Sequence, residues 1–588
     1  MRSAPPLRWR RRAVAVAGAL ALGASLMTAT AASAGDDPRV GLGPGLSDAE
    51  IAASGVELLE SLPLPAGFSI NSDLAFKGDR AIVGGFSGFQ VYDVSDPAAP
   101  VLETAFVCPG GQGDVSVHGD LLFMSVEATN GRIDCGTQGA GGLVNPERFR
   151  GVRIFDISDL SSPQQLPGVQ TCRGSHTHTL VTDPDDTENV YIYNSGTSSV
   201  RPSAELAGCE NAALTAEPVT EGNPTQWRID VIKVPLAAPE TASIVSQPRI
   251  FTDAGTGAYN GLQNTLPGAL HPSGTAYSPL PNTNTCHDVT AFPEIELLAG
   301  ACQGNGILVD ISDPVNPVRL DAVADPNFSY WHSATFSNDG SKVIFTDEWG
   351  GGTQARCQEI HEPEWGANAL FEIVDGKFEF ASYYKLPVPQ TATENCVAHN
   401  GSIIPVPGRD IMVQAWYQGG MSIFDFTDTE NPVEIAYLDR GPISASALTL
   451  GGYWSTYWYN GNVLGSEIAR GFDTMALAET DAMSANEIAA AGEIQLDEFN
   501  AQTQSELVHA PSFAVAGSYV DQAERAGTLS AKALAQVRKH LAEAQVLVED
   551  GSSSRAVIAQ LDNAIRKSGA PADSPVVQAI TELKATFS

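Results

Sequence analysis

A four-residue corner, Asp-x-Ser/Thr-Asp, constrains this chain more than any other feature. It stands at Asp93-Val-Ser-Asp96, Asp156-Ile-Ser-Asp159, Asp310-Ile-Ser-Asp313 and Asp425-Phe-Thr-Asp428, and degenerate copies lie near Asp230, Glu372 and Asp473. The Asp and Ser oxygens can accept backbone N–H groups two residues on, and Pro97 or Pro314 then fixes the turn. Short apolar strands flank each corner. The stretch Cys286–Val318 shows a whole repeat: a histidine opening a strand, a hairpin, two further strands and the corner. Repeats of this length with four short strands predict a β-propeller.

Seven inner strands are expected, beginning near Asp73, Asp114, His176, His287, His332, His399 and Ser455. The last repeat shows only three strands. Val56–Leu64 resembles an outer strand and is expected to complete that blade, removing two exposed edges. The expected fold is therefore an all-β seven-bladed β-propeller over residues 56–480, after an N-terminal lead at 35–55. Residues 481–512 read as an Ala-, Glu- and Gln-rich linker. From 513 to 588 the apolar spacing turns helical, predicting a small all-α C-terminal bundle of three or four helices. Thr528/Ser530, Ser553 and Ser574 are its expected starts, and Gly527, Gly551 and Gly569 its stops.

Arginines precede the apolar run Ala13–Leu26, and Ala32-Ser33-Ala34 gives a cleavage site, so residues 1–34 read as a secretory signal peptide, by general or twin-arginine export. Without them the chain carries 28 basic against 69 acidic residues, a net charge of −41. That charge argues against nucleic-acid or anionic-lipid partners, and no later apolar run is long enough to span a membrane. Secretion to the extracellular space is expected.

Eight cysteines in an exported chain imply four disulfides. Cys286 and Cys302 lie symmetrically about a hairpin turn at 293–295. Cys108, Cys172 and Cys396 lie beside inner strands, and Cys135, Cys209 and Cys357 in long loops. The expected pairs are Cys286–Cys302, Cys108–Cys135, Cys172–Cys209 and Cys357–Cys396, each of the last three pinning a loop. A copper–thiolate role for Cys286 beside His287 is the rival reading.

Four histidines, His176, His287, His332 and His399, occupy one repeat position, each followed three residues on by Thr or Ser. That position opens the inner strand, so the imidazoles should ring the funnel mouth with Asp114 and Asp73. His178, two residues past His176, should share its side by strand alternation. The set predicts a transition-metal site, with copper, manganese and zinc not distinguished; the alternative is that the histidines only hydrogen-bond between blades. Loops on the same face carry Glu127, Gln303, Glu348, Gln418 and Glu467 as pocket candidates, and Tyr417, Trp349 and Trp416 as apolar walls.

The runs FQVYDVSDPAAPV (89–101), VRIFDISDL (152–160), GILVDISDPVNPV (306–318) and MSIFDFTDTENPV (421–433) resemble the LVIVD-repeat family of β-propeller proteins. YWYNGNVLGSEIARGFDTMAL (457–477) looks like the closing blade of such proteins. The resemblance implies the fold and little about activity. His287-Asp-Val through Asp310-Ile-Ser-Asp-Pro314, with Ile344–Gly350, is similar to selenium-binding proteins, some of which are copper-dependent methanethiol oxidases; their conserved cysteine is not recognisable here.

Three functions follow as expectations. The first is an extracellular or cell-surface binding protein for a small-molecule or surface ligand, its helical tail mediating attachment. The second is a copper-type oxidoreductase. The third is a manganese-dependent polysaccharide lyase, for which only Arg132, Arg153, Arg356 and Arg470 lie near the right loops.

Overall fold

A computed structural model describes residues 37–210, 219–222, 224–262, 271–274 and 283–588. The expected signal peptide lies outside them. Residues 71–107 form the first antiparallel meander, with strands Asn71–Lys77, Arg80–Gly85, Gly88–Asp93 and Val101–Val107 in spatial order. Five more four-strand meanders follow, with first strands Val115–His118, Thr177–Val181, Val289–Phe292, Trp331–Phe336 and Asn400–Ile404. Tyr453–Tyr459, Asn462–Glu467 and Gly471–Leu477 make a three-strand unit, which Val56–Leu62 completes through Val56↔Leu477 and Leu62↔Phe472. First strands touch in chain order, and Tyr453–Tyr459 returns to Asn71–Lys77. The sheets thus surround a central channel in a propeller-like ring.

The corners work as their chemistry dictates. Asp93, Asp156, Asp310 and Asp425 accept the backbone N–H two residues on at 2.8–2.9 Å. Between neighbouring sheets the core is aromatic and branched: Phe292 and Leu308 of one sheet meet Trp331, Phe345 and Phe371 of the next. Burying side chains of this size stabilises by about 1.5–3 kcal/mol each.

Two segments depart from expectation. The lead contains a strand, Ile51–Ser54, paired with Val433–Arg440 as an extra outer strand. Ahead of it, the buried Arg39 lies over Tyr437 and is held by Asp37 and Glu434 at 2.9 and 2.8 Å. The supposed linker is built into the ring. It holds helix α1 (Ala485–Gly492), capped by Ser484 with Glu487, and a strand, Glu498–Asn500, beside Asn71–Lys77. Residues 494–507 then cross the end of the channel. Asn500 exchanges two hydrogen bonds with the backbone of Val117, and Gln504 two with Phe336. Thr503 donates to the Leu180 carbonyl, and Asn338 exchanges two bonds with Leu507. Each amide side chain acts as one more β-rung for a strand end that would lack a partner. Composition hid this, because the bonds are made to residues far away in sequence.

The C-terminal bundle has four helices: α2 (Phe513–Arg525), α3 (Ala531–Glu549), α4 (Ser554–Ser568) and α5 (Pro575–Ala585). Ser512, Ser530, Ser553 and Ser574 stand at their N-caps, and Gly527, Gly551 and Gly569 take positive φ after α2, α3 and α4. Val520, Leu534, Val537, Leu561 and Ile580 fill the core. The bundle sits beside the turn at 405–410: Gln522 donates to the Pro407 carbonyl, and Arg525 pairs with Glu487. No described helix is long and apolar enough to cross a membrane.

Candidate metal centre

Three of the four histidines share one backbone rung. His176, His287 and His399 donate their N–H to Ser195, Ala301 and Ala415 of the adjacent strand at 2.8, 2.8 and 3.1 Å. His332 lies second in Trp331–Phe336. Equal register on successive sheets sets the rings side by side: centroids are 4.1 Å apart for His176 and His287, 4.2 Å for His287 and His332, and 4.2 Å for His332 and His399.

One nitrogen of each ring is tied back. His176 Nδ1 meets Glu127 Oε2 at 2.7 Å and His287 Nδ1 meets Asp288 Oδ1 at 3.0 Å. His399 Nδ1 donates to the Trp454 carbonyl, and Thr346 Oγ1 stands 3.5 Å from His332 Nδ1. The opposite nitrogens lack such partners: Nε2 of His176 and of His399 are buried with none. Glu348 faces this space, 3.9 Å from Nε2 of both His332 and His399, and its Oε1 accepts a 2.6 Å bond from the Tyr417 hydroxyl. Donor atoms of His287, His332 and Glu348 all lie within 4.8 Å of one another.

Electrostatics favours the ligating form. Burial, followed by repulsion from His287, His399 and His176, holds the His332 pKa well below its ordinary value. Burial drives His399 down to about 3. Neutral imidazole is what a metal binds. At His176 burial opposes charge, but Glu127 outweighs it and raises the pKa. Burial raises Glu348.

This donor set fits a transition metal. Leaving a buried imidazole nitrogen without a partner is costly, and imidazole nitrogens with a carboxylate oxygen suit zinc, copper, iron or nickel better than hard cations. The Glu127, Asp288 and Trp454 contacts are the outer bonds that orient metal-bound histidines. His287, His332 and Glu348 could hold the ion.

Other expected residues lie elsewhere. His178 does not join His176: its ring bonds Ser116 Oγ at 2.6 Å and Ser125 Oγ at 2.8 Å, so both nitrogens are occupied between sheets. Alternation fails there because His176 precedes the strand, which starts at Thr177. Asp114 accepts the His178 N–H at 2.9 Å, and Asp73 accepts hydroxyls from Ser455 and Tyr457 at 2.6 and 2.5 Å. Neither belongs to the metal-ligand group. Gln418 bonds Asn395, Thr449 and Ile443, and Glu467 caps the turn at 469–470, so both are committed to loop structure. Gln303, buried with positive φ, bridges by its backbone to Trp331. Trp416 and Trp349 are fully buried, the latter beside Arg356, His271 and Trp365. All four disulfides pair as expected, so Cys286 is bonded to Cys302 and offers no thiolate.

Above the histidines opens a pocket of about 340 Å³, walled by Phe86, Tyr330, Tyr417, Leu450 and Trp454, with His176, His287 and Glu348 in its floor. Trp454 escaped the sequence reading although it precedes Ser455. The register Asn400↔Ser455 sets it opposite His399, at the position where four of the sheets carry histidine. Tyr330, preceding Trp331-His332, escaped for want of any motif.

The family profile described as the LVIVD repeat matches residues 70–106. No curated protein matches the chain. Among solved structures, a protein from Lactobacillus plantarum is 11% identical at a TM-score of 0.39, covering 68% of this chain and 89% of that one. The N-terminal domain of Nup159 is 11% identical at 0.40, covering 74% and 98%. Hydrazine synthase of Kuenenia stuttgartiensis is 12% identical at 0.37, covering 68% and 92%.

Proposed function

We propose that the chain is an exported seven-bladed propeller that uses a single transition-metal ion, held by His176, His287, His332 and His399 with Glu348, to bind a small extracellular ligand. One observation carries this: the Nε2 atoms of His176 and His399 are buried without a partner while their Nδ1 atoms are anchored. Such nitrogens are spent on a metal in a site built for one. Export is supported by eight cysteines all joined in disulfides and by the sequence of residues 1–34. The helical bundle serves attachment.

A metal-dependent oxidoreductase is the second reading, favoured by the open pocket and by the Tyr417–Glu348 pair beside the ion's place. The bound metal would supply the redox chemistry; Glu348 and Tyr417 would orient what enters. A lyase for acidic polysaccharides has less support. Arg470 turns inward to Glu467 and backbone carbonyls, Arg153 is fully buried, Arg132 is paired with Asp134 and Arg356 covers Trp349.

The test is elemental analysis of protein exported from its native pathway, beside the double variant His287→Ala, His332→Ala. We expect one metal equivalent in the wild type and none in the variant, with far-ultraviolet circular dichroism unchanged. No stoichiometric metal in the wild type would sink both readings.

A further inference from the structure

The funnel is lopsided. Histidines occupy four consecutive sheets, from the one opening at Thr177 to the one opening at Asn400. The next two units put aromatic rings at the same mouth: Trp454 at the histidine register and Phe86 from the turn between Arg80–Gly85 and Gly88–Asp93. Trp454 stands 5.2 Å from the His399 ring and 6.4 Å from Phe86, edge to face. Both rings are partly exposed. Leu450, on the same wall, is 38% exposed. Partly exposed aromatic side chains over a buried polar floor mark a binding surface. Among the described lining residues there is no lysine or arginine, in a chain of net charge −36. Anionic ligands therefore meet no counter-charge except the metal.

We propose that this half of the funnel is an aromatic shelf, and that the ligand is an uncharged planar aromatic small molecule, a simple phenol or its ether. It stacks flat on Trp454, meets the nearly perpendicular Phe86 ring edge to face, and turns one oxygen toward the histidine floor. This rests on the metal reading for the oxygen contact and on the shelf alone for the ring. Removing the Trp454 side chain keeps the backbone carbonyl that bonds His399 but loses the edge-on packing of its indole on that ring, so metal content is measured beside affinity in each variant.

The experiment is calorimetric titration of the full-length mature protein carrying its purified metal, with 4-methylphenol, cyclohexanol and glucuronate as probes. We expect 4-methylphenol to bind one site, cyclohexanol about tenfold more weakly, and glucuronate not at all. Trp454→Ala should weaken 4-methylphenol about tenfold at unchanged metal content, and Trp454→Phe should recover most of that. Phe86→Ala, on a partly exposed turn, gives the same answer if Trp454→Ala fails to fold. Wild-type affinity in the alanine variants, or equal binding of cyclohexanol, overturns the shelf. Chelated protein that binds 4-methylphenol as well as the loaded form instead overturns the metal contact and leaves the shelf standing.

Discussion

Glu127 and His176 meet across two neighbouring sheets. The imidazole donates from Nδ1 to Oε2 at 2.7 Å, and the same carboxylate oxygen accepts from Thr197 at 3.1 Å. This contact fixes the ring so that its other nitrogen points to the common floor. Replacing Glu127 with Gln should lower metal affinity about 10- to 100-fold with little change in folding. A competition titration against a chromogenic chelator reads it; unchanged affinity would show that the carboxylate orients nothing.

The proton dependence of metal binding should be shallow. His332 and His399 are already neutral near pH 7, held below their ordinary values by burial. His176 is the exception: burial disfavours its charge, yet Glu127 raises its pKa. A metal must displace that proton, so affinity falls as pH falls through this pKa. One proton per ion gives about a tenfold loss per pH unit. A slope near four in log affinity against pH would refute the assignment, and His176→Gln should flatten the slope.

Stability should carry a separate pH signature from Asp439. Burial, then the nearby Glu394, raises its pKa to about 8, and Gln390 donates to one of its oxygens at 3.0 Å. A carboxyl raised in the folded state contributes stability present below its unfolded pKa near 3.8 and lost as pH rises toward 8. Asp439→Asn should be close to neutral at pH 4 and increasingly stabilising above it, by up to about 1.4 kcal/mol per pH unit. Urea midpoints at several pH values would show this, and a pH-independent difference would contradict it.

The amide rungs should matter although they lie in what composition marks as a linker. Gln504→Ala leaves the N–H and carbonyl of Phe336 without their partner, a cost of about 1–3 kcal/mol. Pairing it with Asn500→Ala should add a similar loss. Denaturant unfolding measures it; no shift in either variant would mean water replaces these bonds freely.

Disulfide Cys172–Cys209 closes a separation of 37 residues and pins the loop after Asn189–Ser195. Replacing both cysteines by Ser should cost about 2–4 kcal/mol and leave the histidine floor and its metal content intact. Loss of metal in that variant would show that the loop shapes the centre.

What could be read from sequence was whatever repeats locally. The Asp93, Asp156, Asp310 and Asp425 corners bond within three residues, so composition and spacing reveal them. The histidine position repeats with its strand, and the cysteine pairs follow from hairpin symmetry and loop length. Contacts that depend on distant partners stayed hidden. His178 faces away from His176 because the strand begins one residue after His176. Trp454 carries no histidine to mark its register, and Asn500 and Gln504 look like ordinary polar residues until their partners Val117 and Phe336 are seen.

Residues 494–507 turn a tube into a cup. They stopper the channel at the end where the corners lie, and the helical bundle docks on that same side, against the turn at 405–410. The helices therefore lie at the end of the ring opposite the histidine mouth. Access to the histidine floor is thus from the open mouth, through the pocket walled by Tyr330, Tyr417 and Trp454. Residues 494–507 are held by the ring strands themselves, so removing the helices that follow leaves the base closed.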